Sequence, residues 1–83
     1  MLLDVIAVEA LSGFLLDLEF ENVERRRFDM TPFLRYPVYR RLQNPGFFSL
    51  ARASHGTVVW PGEIDIAPET LYDLSIPVEP VPQ

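Results

Sequence analysis

Phe14-Leu15-Leu16-Asp17-Leu18-Glu19-Phe20-Glu21 carries the clearest pattern in the chain. Phe14, Leu16, Leu18 and Phe20 fall on one side of an extended backbone, and Asp17, Glu19 and Glu21 fall on the other. A period of two marks a strand with one face in a core and one in water. Upstream, Val5 to Ala10 reads as a strand, with Ser12-Gly13 as the connecting turn. Downstream, Arg25 to Met30 reads as a third strand.

The apolar face also constrains the register of the second hairpin. A two-residue Asn22-Val23 loop sets Phe20 opposite Arg25 and Leu18 opposite Arg27, which turns core positions toward charges. A three-residue loop, Asn22 to Glu24, sets Leu18 opposite Phe28 and Leu16 opposite Met30. It also sets Glu21 opposite Arg25 and Glu19 opposite Arg27, and it is the expected pairing. Loops of this kind want a residue at positive φ, normally glycine, and Val23 is a poor choice. The same alternation turns Arg26 inward, and its head is expected to reach water at the sheet edge.

Thr31-Pro32 signals a helix start, a capping hydroxyl followed by proline at the first helical position. That helix is short, because Pro37 pushes Tyr36 out of the helical region. Val38 to Gln43 makes another helical turn, which Asn44-Pro45-Gly46 ends. Phe47 and Phe48 re-enter the core. Leu50 to Ala53 and Thr57 to Trp60 read as strands joined at Ser54-His55-Gly56, and Pro61-Gly62 is a turn. Ala67 to Tyr72 reads as a short helix with Pro68 at its first position and Glu69 in its first turn. These elements predict an α+β domain over residues 1–75, with a small antiparallel sheet of about five short strands. Short helices follow the third strand and lie near the C-terminus. Residues 76–83, IPVEPVPQ, are expected to form a Pro-rich extended or disordered tail.

Composition excludes whole classes of chemistry. The chain of 83 residues makes one domain, with a small core and no cysteine to staple it. Disulfides, thiolate metal sites and cysteine nucleophiles are excluded together. Every basic residue is arginine, so Schiff-base and P-loop lysines are excluded too. A net charge of −5 disfavours direct nucleic-acid binding. Asp4 and Glu9 interrupt the apolar N-terminal stretch, so neither a signal peptide nor a membrane span is expected, and the location is expected to be cytoplasmic.

Few residues invite a functional reading. The lone His55 sits at a hairpin tip without an oriented partner in the sequence, and the acids are scattered rather than spaced as a calcium loop. No catalytic residue, metal site or cofactor is expected. Asp65, between Ile64 and Ile66 and just ahead of Ala67-Pro68, is expected to cap the last helix. The rival reading places it in a pocket with Trp60 and Tyr72, where burial raises its pKa. Arg35, Tyr36, Tyr39, Arg40 and Arg41 cluster around Pro37, and tyrosine with arginine is the composition of interface hot spots.

Two segments resemble a known family. Asp29-Met30-Thr31-Pro32-Phe33-Leu34 is similar to the D-[LM]-[ST]-P-x-L helix start, and Val58 to Tyr72, VVWPGEIDIAPETLY, to the V-x-W-P-x-G-x-D-I-x-P-E-x-L-Y ending, of the small bacterial proteins called domain of unknown function 2442. The resemblance runs over about residues 5 to 74. Val23 stands where these proteins typically carry a hairpin glycine, and Trp60-Pro61-Gly62-Glu63 reorders their W-P-N-G turn. The resemblance implies no established activity and no catalytic residues. Some relatives carry an attached helix-turn-helix domain, which is not expected after residue 75 here, and some are encoded beside another small protein in a pattern like a toxin–antitoxin pair. The expected function is a non-enzymatic protein-interaction module, regulatory or antitoxin-like, whose partner is the product of the neighbouring gene or a second copy of the chain. The alternative is a small-ligand-binding domain or unusual enzyme built around Trp60, Asp65 and Tyr72.

Overall fold

Hairpin turns set the architecture. In the computed structural model, which describes residues 3–78, β1 (Val5–Leu11), β2 (Leu15–Phe20) and β3 (Arg25–Asp29) form a meander. β4 (Arg52–Ser54), β5 (Thr57–Trp60) and β6 (Ile64–Ile66) form a second one. The first sheet has the order β1-β2-β3-β7, where β7 is Ile76–Pro77, and the second has the order β4-β5-β6. All pairings are antiparallel. The α+β class holds, but two small sheets replace the single one of about five strands. The Val5 amide donates to the Gly56 carbonyl at 2.9 Å, which joins the first sheet to the β4–β5 turn.

Between the sheets run short helices: 3-10 turns at Thr31–Phe33 and Pro37–Gln43, then α1 (Pro45–Phe48). The last helix, α2 (Pro68–Leu74), follows β6. Tyr36 is extended at φ −75° and ψ 140°, as the following proline requires. Two caps differ from expectation. Asp29, not Thr31, closes the first turn, accepting from the Thr31 amide at 3.0 Å and from its hydroxyl at 2.7 Å. Asn44 does not merely end a helix. Its Oδ1 accepts from the Gly46 and Phe47 amides and so opens α1.

The inner face of the first sheet supplies Val5, Leu16, Leu18, Phe20 and Phe28 to the core. Met30, Leu34, Leu42, Phe48, Val58, Trp60, Ile64, Ile66 and Leu71 close over it from the helices and the second sheet. Phe14 itself lies in the β1–β2 turn at φ 62°, half-buried against the Phe48 ring.

The second hairpin pairs Leu18 with Arg26, Asp17 with Arg27 and Glu19 with Arg25. The expected register is therefore wrong by two residues, although every side chain keeps its expected face, because only an odd slip turns a strand over. The loop closes earlier, over Glu21-Asn22-Val23, with the Phe20 amide bonded to the Glu24 carbonyl at 2.9 Å. Val23 takes the left-handed position at φ 64°. Asn22 braces it, since its Oδ1 accepts from the Glu24 amide at 3.1 Å. The shift is favoured because it brings Glu24 and Arg26 beneath the C-terminal helix, where both find partners that strand pairing alone does not reveal.

Ile76 and Pro77 are extended, as the proline content suggests, but they pair with Arg27 and Arg26 of β3, and the Val78 amide donates to the Arg25 carbonyl at 2.9 Å. The start of the expected tail is thus an edge strand at Ile76–Pro77, and its positions 79–83 lie outside the described residues. A Val23→Gly variant is expected to raise stability by about 1 kcal/mol, because a β-branched side chain is strained at positive φ and Val23 is 75% exposed. Urea unfolding measures this; a loss of stability would show that the loop depends on the valine.

Candidate functional site

Two groups of polar side chains stand out, and they do different work. The first is internal. Strand alternation turns Arg26 toward the core side, where its side chain is 12% exposed. Its Nε donates to Ser75 Oγ at 2.7 Å and one terminal nitrogen donates to the Ser75 carbonyl at 2.7 Å. The other terminal nitrogen donates to Glu24, and the guanidinium lies 4.3 Å from the centre of the Tyr72 ring. Tyr72 in turn donates its hydroxyl to Glu24 at 2.9 Å and stands edge-on to Phe20. Ser75 is buried, and its hydroxyl donates to the Tyr72 carbonyl at 2.9 Å. The arginine head therefore does not run out to water; it fastens α2 and β7 to the β2–β3 hairpin.

This network shifts two titrations. Hydrogen bonds from Arg26 and then Tyr72 hold the Glu24 carboxyl below its ordinary value. The bond to Glu24, followed by burial, pushes the Tyr72 hydroxyl up. The outer ion pair, Arg27 Nε to Asp17 at 2.6 Å, is more exposed and contributes less.

The second group faces water. A 3-10 helix has three residues per turn, so residues three apart eclipse. In Pro37–Gln43 one row, Tyr39 and Leu42, turns inward, while Val38 with Arg41 and Pro37 with Arg40 and Gln43 turn outward. Tyr36 is 45% exposed and Val38 is 59% exposed. Arg35, Arg40 and Arg41 are exposed too. Arg35 lies over the Tyr36 ring at 5.5 Å, and Arg41 lies over Phe47 at 4.5 Å. Arg41 also reaches Gly62, where an added Cβ would meet its Nη1 at 2.6 Å and where φ is +87°. Gln43 anchors the turn by donating to the Leu34 carbonyl at 2.8 Å.

Tyr39 leaves the set of contact candidates. It is half-buried, and its hydroxyl donates to the Asp65 carbonyl at 3.1 Å. Burial, and then the charge of Asp65, push its hydroxyl up. It anchors the outward row rather than belonging to it.

The residues of the alternative pocket are separated. Trp60 is buried, and its indole donates to the Phe48 carbonyl at 2.9 Å. Trp60 pairs with Ile64, whereas Asp65 pairs with Val59, so Asp65 lies on the opposite face of the sheet from Trp60 and is exposed. Nor does Asp65 cap α2, whose N-cap position is Ala67 and carries no side-chain cap; Asp65 stays in β6 and is exposed. Tyr72 belongs to the Arg26 network. An open, mostly apolar cleft of about 350 Å³ lies elsewhere, lined by Ala10, Leu11, Gly13, Phe14, Pro45 and Phe48, with Ser12 and Ser49 at its polar positions. His55 sits in the β4–β5 turn at φ 53°, with Nδ1 2.9 Å from the Ser54 hydroxyl. Among the described residues no three His, Cys, Asp or Glu side chains gather to hold a metal ion. No helix among them is long and apolar enough to cross a membrane.

Sequence reading missed the internal network, although RRRFDM carried one signal for it: the inward arginine needs a partner, and Tyr72 and Ser75 were available. Comparison with known families matches residues 5–77 to the model described as "Protein of unknown function (DUF2442)". The chain belongs to that family, whose description assigns it no function. No curated protein and no solved structure matches it.

Arg26→Met is expected to lower stability by about 2–3 kcal/mol, since charged hydrogen bonds are lost and the Ser75 carbonyl is left without its donor. Urea unfolding tests it; a loss as small as that of Arg27→Met would contradict the contrast between the two arginines. The depressed folded pKa of Glu24 gives a pH dependence of definite sign. Its contribution is present above the ordinary value of 4.5 and is lost as pH falls through the lower folded value. Glu24→Gln should flatten that acid limb of the stability profile. An unchanged limb would remove Glu24 from the account.

Proposed function

We propose that this chain is a non-enzymatic protein-interaction module, the regulatory or antitoxin-like half of a two-protein pair acting in the cytoplasm. The observation that carries the reading is the set of exposed side chains in the 35–41 segment. Tyr36, Val38, Arg35 and Arg40 are exposed, while Tyr39 and Leu42 hold the turn from beneath and Gln43 ties it to the Leu34 carbonyl. Large apolar and guanidinium groups on a braced turn match the composition of binding hot spots and lose little freedom on docking. A small core without disulfides also gains stability from a partner by mass action.

The partner proposed is the product of the adjacent reading frame. Co-expression followed by size exclusion is expected to give one complex, and separate elution of the two proteins would count against the pairing. Tyr36→Ala with Arg40→Ala should abolish that complex and leave the melting curve unchanged. Tyr39→Phe should do the reverse, costing about 0.5–1 kcal/mol of stability through the lost bond to Asp65 while leaving the complex intact.

A further inference from the structure

The acidic chain contains a long run without acids. From Met30 to Gly62 there is no aspartate or glutamate, and the run carries four arginines, Arg35, Arg40, Arg41 and Arg52. All four are exposed, and none enters an ion pair among the described residues. The arginines of β3 differ, because Arg26 is bonded to Glu24 and Arg27 to Asp17. The net charge of −5 therefore conceals an acid-free stretch of chain with unpaired arginines, three of them within residues 35–41.

We propose that the exposed side chains Arg35, Tyr36, Val38 and Arg40 of this segment dock an acidic polypeptide segment whose carboxylates alternate with aliphatic or aromatic side chains. The inference rests on the interaction reading above and specifies the partner's chemistry. Arg35 and Arg40 are free to form bidentate pairs with carboxylates. Tyr36 and Val38 lie between them in the chain and offer an aromatic face and an aliphatic knob. A phosphate backbone would leave Val38, exposed between the arginines in the chain, without an apolar partner. A second copy of the chain fits less well. On the outer face of the first sheet, Asp17 is already paired with Arg27, and Glu19 stands opposite Arg25.

The test uses the full chain, isotope-labelled and titrated with a synthetic peptide that alternates glutamate with leucine and tryptophan. Shifts are expected at the amides of Arg35, Tyr36, Val38 and Arg40. The same peptide with glutamine for glutamate should bind at least about tenfold more weakly. Raising salt from about 0.1 M to about 1 M, which shortens the Debye length from about 10 Å to about 3 Å, should weaken binding as well. Arg35→Glu with Arg40→Glu should abolish it, and Arg35→Gln with Arg40→Gln should weaken it, which guards against a folding defect in the first variant.

Equal binding of the two peptides, shifts confined to other residues, or no shift at all would overturn the proposal. So would tighter binding of a thymidine oligonucleotide, or the same shifts produced by concentrating the protein alone. Failure here is distinct from failure of the interaction reading. A complex with the neighbouring gene's product that tolerates Arg35→Glu with Arg40→Glu overturns the acidic docking surface and leaves the pair standing. Separate elution of the two proteins removes the pair irrespective of the peptide result.

Discussion

One guanidinium on the wrong side of a strand organises this molecule. Arg26 shares a face with Phe28 and stands opposite Leu18, so an unpartnered head there would sit against the core. Leaving such a group unbonded costs several kcal/mol. The cost is avoided because Tyr72, Ser75 and Glu24 converge on it. The end of α2 and the start of β7 are held where those contacts need them. α2 lies across the hairpin, and Ile76 and Pro77 become the edge strand of the first sheet.

The face rule and the register rule have different reach. Alternation in Phe14 to Glu21 placed Leu16, Leu18 and Phe20 inside, and all three are buried. It did not give the register, because any even slip preserves the same faces. The slip was decided by the turn, where valine rather than glycine occupies the left-handed position, and by tertiary partners forty or more residues away. β6 and β7 were missed because three and two residues are too few to show a period. The first and last helical stretches were legible through Pro32 and Pro68, whereas Asn44-Pro45 was read as a helix end although it opens α1.

The candidate site was legible as a composition but not as a geometry. Arg35, Tyr36, Arg40 and Arg41 are exposed, as a hot-spot reading requires. Tyr39 has the same composition but faces inward, since a three-residue turn gives one row in three to the core. The pocket reading of Trp60, Asp65 and Tyr72 failed on strand parity, which separates Trp60 from Asp65 once β6 is recognised as a strand. The two functions of arginine thus divide by environment. Arg26 builds the frame, and the acid-free run from Met30 to Gly62 keeps its charges in water.

Arg26 docks the segment from Ser75 to Val78 onto the sheet. Native-state amide exchange at Val78 tests it most directly, because that amide reports the β3–β7 contact. Val78 is expected to be protected in the native chain and to lose protection on Arg26→Met while the Leu18 amide keeps its own. Free exchange at Val78 in the native chain, as in an undocked terminus, would contradict it.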